Sequence, residues 1–131
     1  MQPAADNITA ITLPVLRIIR RCHPLRARPW GAAVRACDVW AARREGRLVS
    51  KPGTDDHAGR IAWLMAQPVL DPIEIEVGVP EMHCYVDRII TDGNHRVAAA
   101  FLRRDRAIAA YVGGSLEYAR ELFGVDCRMY D

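Results

Sequence analysis

The chain has 131 residues, of which 50% are hydrophobic and 26% charged, the balance of a folded globular protein and not of a disordered or fibrous one. That length predicts a single domain over residues 1–131. No apolar run approaches the roughly 20 residues that span a bilayer. Met1 to Asn7 also lacks a basic patch followed by an apolar stretch, which argues against membrane and secretory destinations and for a cytoplasmic one.

In chain order, Ile8 to Ile19 is rich in β-branched residues and predicts a strand interrupted or offset by Pro14. His23 to Pro29 holds two prolines and predicts a loop. From Trp30 to Arg44, Ala33, Ala36, Cys37 and Trp40 recur at helical spacing, with Gly46 where a helix would stop. Ser50 to Asp56 reads as a loop. A second helix starts near Thr54 or Asp55, either of which can cap it, and carries Ala58, Ile61, Ala62 and Met65 along one stripe before Pro68. Pro72 to Val77 alternates apolar and polar, as does His83 to Ile90 more loosely, and Gly78 to Glu81 predicts the connection of a hairpin.

After Thr91-Asp92-Gly93 the period turns helical over His95 to Arg104, with Val97, Ala98, Phe101 and Leu102 inward. Ala107 to Val112 predicts a strand. Ser115 caps a helix through Phe123, Gly124 ends it, and Val125 to Tyr130 predicts a last short strand. The order β-α-α-β-β-α-β-α-β implies an α/β (α+β) fold, a small mixed sheet flanked by helices.

Charge is unevenly distributed. Residues 1–53 hold ten basic side chains against three acidic ones and residues 54–131 eight against thirteen, and Lys51 is the one lysine among eighteen basic residues. Arginine's planar fork suits phosphate, so the arginine-rich N-terminal half is a candidate DNA-binding face, although a charge run is more often merely a solvated face. The cysteines, Cys22, Cys37, Cys84 and Cys127, include no CxxC pair. They predict reduced, mostly buried thiols, and a zinc site would have to gather Cys22, His23, Cys37, His83 and Cys84 from distant segments.

The most informative segment is Asp92-Gly93-Asn94-His95-Arg96 at a strand-to-helix switch. Gly93 permits a sharp turn and close approach of a ligand, and the free amides of the first helical turn favour an anion. Arg96 adds a bidentate phosphate contact, His95 a donor or a proton carrier, Asp92 a base-like or metal-facing carboxylate, and Asn94 a group to orient a phosphate oxygen or metal-bound water. The plain alternative is a turn and helix start with His95 and Arg96 solvated.

The run Ile89 to Ala100, followed by Ile108-Ala109-Ala110-Tyr111-Val112, resembles the core signature of the ParB/sulfiredoxin superfamily, in which a strand enters a Gly-x-x-Arg or Gly-x-His-Arg turn and an alanine-rich helix follows. Asp71 to Ile75 and Leu13 to Ile18 resemble the family's Pro-Ile strand and opening strand. The resemblance implies that Gly93, Asn94, His95 and Arg96 hold the phosphates of a nucleotide, ATP or CTP, with Mg²⁺ as companion. Sulfiredoxins carry a reactive cysteine where this sequence has Asn94, which argues against sulfinic-acid reduction. Partition proteins carry glutamate and arginine in place of Asn94 and His95, and continue into a helix-turn-helix domain for which 131 residues leave no room. The implied class is the short ParB-like nucleases, often borne on plasmids or phages: a metal-dependent nuclease or nucleoside triphosphatase with Asp92, His95 and Arg96 in catalysis. The alternative is a non-catalytic adaptor that binds DNA or inhibits a protein.

Elsewhere, His57 with Asp55 and Asp56 forms either a metal-ligand group or a helix-cap cluster, and Gly113-Gly114-Ser115 either a nucleotide-facing entrance or a turn. Trp30, Trp40 and Trp63 read as packing residues, with Trp30 beside Arg26 and Arg28 able to stack on a base. Arg26 is a further candidate phosphate contact.

Overall fold

A computed structural model describes residues 9–127. Its elements are β1 (Ile11–Pro14), α1 (Val15–Arg21), the single turn α2 (Pro24–Ala27), α3 (Ala36–Glu45), α4 (His57–Met65), β2 (Ile73–Glu76), β3 (Ile90–Asp92), α5 (Asn94–Leu102), β4 (Ala107–Gly113) and α6 (Leu116–Phe123). The four strands form one mixed sheet in the order β1-β4-β2-β3. β4 runs antiparallel to β1 and parallel to β2, and β2 and β3 pair antiparallel. The expected mixed sheet flanked by helices is present, with a different element order.

Helix α5 is the axis of the packing. Its four consecutive residues Val97, Ala98, Ala99 and Ala100 are fully buried, which an amphipathic surface helix would not show. Val97 and Ala100 join the sheet-side cluster with Leu13, Ile18, Ile73, Ile108 and Phe123. Ala98 and Ala99 face the other way, into a cluster with Val39, Ala42, Ile61, Ala62 and Met65 from α3 and α4. Alanines let neighbouring elements approach on both sides, so the start of α5 is set rigidly between β2 and α4.

Several segments differ from the sequence expectation. Residues after Pro14 are helical, not extended. Pro14 is the N-cap of α1 at φ −66° and ψ 125°. Val15, Ile18 and Cys22 then fall on one buried helical stripe, with Arg17, Arg20 and Arg21 in solvent. The proline-rich stretch after His23 makes one helical turn, α2. The helix expected from Trp30 begins only at Ala36, because Gly31 turns at φ +79° and the Asp38 carboxylate accepts from Arg35 N–H at 2.9 Å to close the helix start there.

His83 to Ile90 is not a strand until its end. Pro80–Met82 forms a 3₁₀ turn, His83 sits at φ +58°, and an isolated Val79–Cys84 bridge closes the loop. Alternation there has no buried face to pay for it, since residues 81–85 are all exposed. Val125 to Cys127 is not a strand either, and the remainder of that expected strand lies outside the described residues. Among the described residues, no helix is long and apolar enough to cross a membrane.

Candidate functional site

Gly93 is required at the turn for two reasons. Its φ of +110° lies where side chains are strained, and a Cβ placed there would come 2.5 Å from Cγ2 and 2.8 Å from Cβ of Ile73. The turn therefore lies directly on β2. Helix α5 follows with no side-chain cap. Val97 N–H donates to the Gly93 carbonyl at 2.9 Å, while the amides of Asn94, His95 and Arg96 meet no protein acceptor among the described residues. Three donors and the positive end of a buried helix are thus left at one place.

Arg96 leaves the turn sideways. Its Nη1 donates to the carbonyls of Asp71 at 3.2 Å and Pro72 at 2.5 Å, and its Nη2 pairs with Asp92 Oδ2 at 3.0 Å. The guanidinium ties the start of α5 to the chain entering β2. Together with Asp92 it also lines an open cleft of about 560 Å³, lined in addition by Arg60 and Trp63 of α4 and by Gln67 just past that helix.

Arg60 and Trp63, spaced i and i+3, share one face of α4, and Gln67 follows in the chain that leaves the helix past its C-cap Ala66. Arg60 donates from Nη1 to the carbonyl of Ser50 at 2.7 Å and lies 5.0 Å from the Trp63 ring centroid, within cation–π range. Burial, and then the charge of Arg96, lower the pKa of Arg60, as two guanidinium groups stand near one another in this cleft, which Asp71 and Asp92 also line. Gln67 Nε2 donates back to the Trp63 carbonyl at 3.1 Å, leaving its amide oxygen at the cleft. Sequence reasoning assigned no binding role to Arg60 or Gln67 and read Trp63 as packing; the signal was the i, i+3 pair Arg60 and Trp63 on one helical face next to the exposed loop Ser50–Gly53.

His95 points elsewhere. Its Nε2 lies 3.0 Å from Nδ1 of His57, and its ring stacks on Trp30 at 4.5 Å and 19°. Trp30 also stacks on His57 at 5.1 Å, so it is occupied by two imidazoles and is not a free platform for a base. Burial first, then His57, Arg60 and Arg96, push the His95 pKa down to about 4. The ring is therefore neutral at pH 7, unlike the near-6.5 proton carrier that the sequence allowed. It locks α4 to α5 beside the turn, and the geometry brings it together with His57 and not with Asp92.

The remaining expectations resolve as follows. Asn94 is partly exposed on the first turn, and its side chain makes no protein hydrogen bond among the described residues. Arg26 stands exposed on α2, where its charge acts on His23; His23 in turn packs edge-on against Phe101, two turns along α5 from Gly93. The structure does not bring Arg26 to the turn. Asp56 is the N-cap of α4, accepting from Gly59 N–H at 3.0 Å and pairing with Arg47, so that cluster is a helix cap. Ser115 caps α6 by accepting from Tyr118 N–H at 3.2 Å. Gly114 turns at φ +90° against Gly78, so Gly113-Gly114-Ser115 is a turn.

Cys22 and Cys127 are buried, but Cys37 and Cys84 are exposed. Among the described residues, no three His, Cys, Asp or Glu side chains gather where they would hold a metal ion. Compared with known protein families, curated proteins and solved structures, the chain matches none.

Proposed function

We propose that the chain binds a nucleotide, with its phosphates on the Gly93–Arg96 turn and its base in the cleft between α4 and α5. The observation that carries this reading is a turn with three amides without protein acceptors among the described residues, on a helix fixed by burial, whose flanking Asp92 and Arg96 line a cleft with Arg60, Trp63 and Gln67. Phosphate oxygens would accept from the amides of Asn94, His95 and Arg96 and from the two guanidinium groups. The Trp63 ring offers a face for a purine or pyrimidine, and the Gln67 amide an edge contact. This arrangement fits the ParB-like resemblance, and it favours a free nucleotide or a single strand end over a continuous duplex.

The described side chains do not fit a protein-built magnesium cage, so Mg²⁺ enters this reading only as the companion of a triphosphate, held by phosphate oxygens and the waters the ion retains. Whether binding leads to hydrolysis divides two versions of the proposal. A nuclease or triphosphatase would use Arg96 to stabilise charge on the transferred phosphorus centre. A non-catalytic binder is favoured by one specific feature: Asp92 is tied to Arg96 and His95 is turned to His57, so neither carboxylate nor imidazole stands free beside the turn.

Calorimetric titration with ATP, CTP, GTP and tripolyphosphate, each with and without Mg²⁺, tests the reading. Saturable binding of at least one nucleotide, weakened about tenfold by Arg60→Ala or Trp63→Ala, is expected. No binding, or binding indifferent to both substitutions, would refute it. Phosphate release or plasmid nicking abolished by Arg96→Ala selects the enzyme; binding without turnover selects the adaptor.

A further inference from the structure

The opposite end of α5 carries a second cleft, of about 610 Å³, that the nucleotide reading does not use. Its floor and walls are Val15 and Leu16 at the start of α1, Trp40 of α3, and Phe101 and Leu102 at the end of α5. Leu16 is 64% and Trp40 38% exposed, so two large apolar side chains stand in solvent at one place. The volume falls within the range of about 300–1,000 Å³ that small-molecule sites occupy, and it is concave, not a flat patch.

Charge at the rim is one-signed in effect. Asp105 is held by Arg103 through three hydrogen bonds of 2.7 to 3.1 Å, which neutralises it. Arg104 and Arg106, on either side of it, line the cleft and meet no acidic partner among the described residues. Arg104 also holds φ +63° just past the C-cap Arg103, a position where glycine normally ends a helix because side chains are strained there. An arginine kept at a site that favours glycine points to a use for its side chain.

We propose that this cleft binds a small amphipathic monoanion, an acyl or aryl carboxylate, with its apolar body against Leu16, Trp40, Phe101 and Leu102 and its carboxylate on Arg104 and Arg106. The guanidinium fork matches a carboxylate in plane and spacing, and the apolar walls supply the affinity that a surface ion pair alone would not. A neutral ligand would leave the two arginines without a partner, and a polyphosphate would leave the apolar wall unused. This inference stands apart from the nucleotide reading, since α5 separates the two clefts.

The test is intrinsic tryptophan fluorescence and thermal denaturation of the full chain titrated with decanoate below its micellar concentration, with decanol and decyltrimethylammonium as charge controls. Decanoate is expected to bind saturably, raise Tm and bind at least tenfold more tightly than decanol, with the ammonium weaker still. The double variant Arg104→Gly/Arg106→Gln should bind decanoate and decanol alike, and Arg104→Gly relieves the left-handed strain, so folding is not at risk. Tripolyphosphate binding should be unchanged in that variant. Absence of saturable decanoate binding, equal affinity for decanoate and decanol in the wild type, or full decanoate affinity in the double variant would overturn the proposal. So would a dimer that Leu16→Glu converts to monomer, because the cleft would then belong to a second copy of the chain.

Discussion

Acidification should weaken the fold before its carboxylates titrate, because His95 is held neutral, half-buried against Trp30 and His57. Its folded pKa is about 4, against an ordinary 6.5. Between those values the unfolded chain binds a proton that the folded chain refuses, so the His95 contribution is fully present above pH 6.5 and is lost as pH falls toward 4. That gap corresponds to a ceiling of about 3.4 kcal/mol. Solvent screening of a partly exposed ring brings the expected loss nearer 1–2 kcal/mol.

Burial and Arg26 also lower the His23 pKa, so His23 titrates in the same direction and must be subtracted. Denaturant unfolding at pH 7.5 and 4.5 in the wild type and His95→Phe, which keeps an aromatic ring over Trp30, isolates the His95 share as the difference between the two losses. Asp56 does not interfere: Arg47 holds its carboxyl below the usual range, and its contribution is lost only as pH falls through lower values. Equal pH dependence in wild type and His95→Phe, or an NMR titration placing His95 near 6.5, would refute the reasoning.

Three further outcomes follow from the packing. Gly93→Ala should cost about 2–4 kcal/mol, the sum of a strained φ and a Cβ driven into Ile73, read by urea denaturation; a cost under about 1 kcal/mol would mean that the turn can move off β2. Arg103→Met should cost about 2–4 kcal/mol, because Nη1 of Arg103 satisfies the carbonyls of Met65 and Gln67 while its fork holds Asp105, all of which lose a partner. Arg104→Gly should stabilise the chain by about 0.5–1 kcal/mol in the same assay, since glycine adopts φ +63° without strain.

Where local signals and tertiary setting agree, the fold was legible. Ser115 and Gly124 bound α6, Gly46 ends α3, and the strand-turn-helix at Thr91 to Arg96 lies where composition and period change together. Ile8 to Ile19 misled because β-branched content outweighed the i, i+3, i+7 spacing of Val15, Ile18 and Cys22, which only the neighbouring sheet makes decisive. His83 to Ile90 alternates without a buried face, so its pattern carries no packing force.

The turn itself was readable from five residues, but its surroundings were not. His57 meets His95 across 38 residues of chain, and Trp30 joins them from a loop, so no local spacing encodes that stack. The destination of the Arg96 side chain depends on the carbonyls of Asp71 and Pro72, which have no side-chain signature at all. Arg60 and Trp63 share a helical face that periodicity reveals, with Gln67 just past the helix end, yet their place in one cleft with Arg96 follows only from how α4 packs on α5.

The most direct test is an amide-resolved NMR titration with the nucleotide that binds tightest. Backbone amides of Asn94, His95 and Arg96 and the indole N–H of Trp63 should shift together along one saturation curve. Shifts confined to the arginine-bearing segments before Lys51, with those four signals still, would place the anion elsewhere and contradict the account.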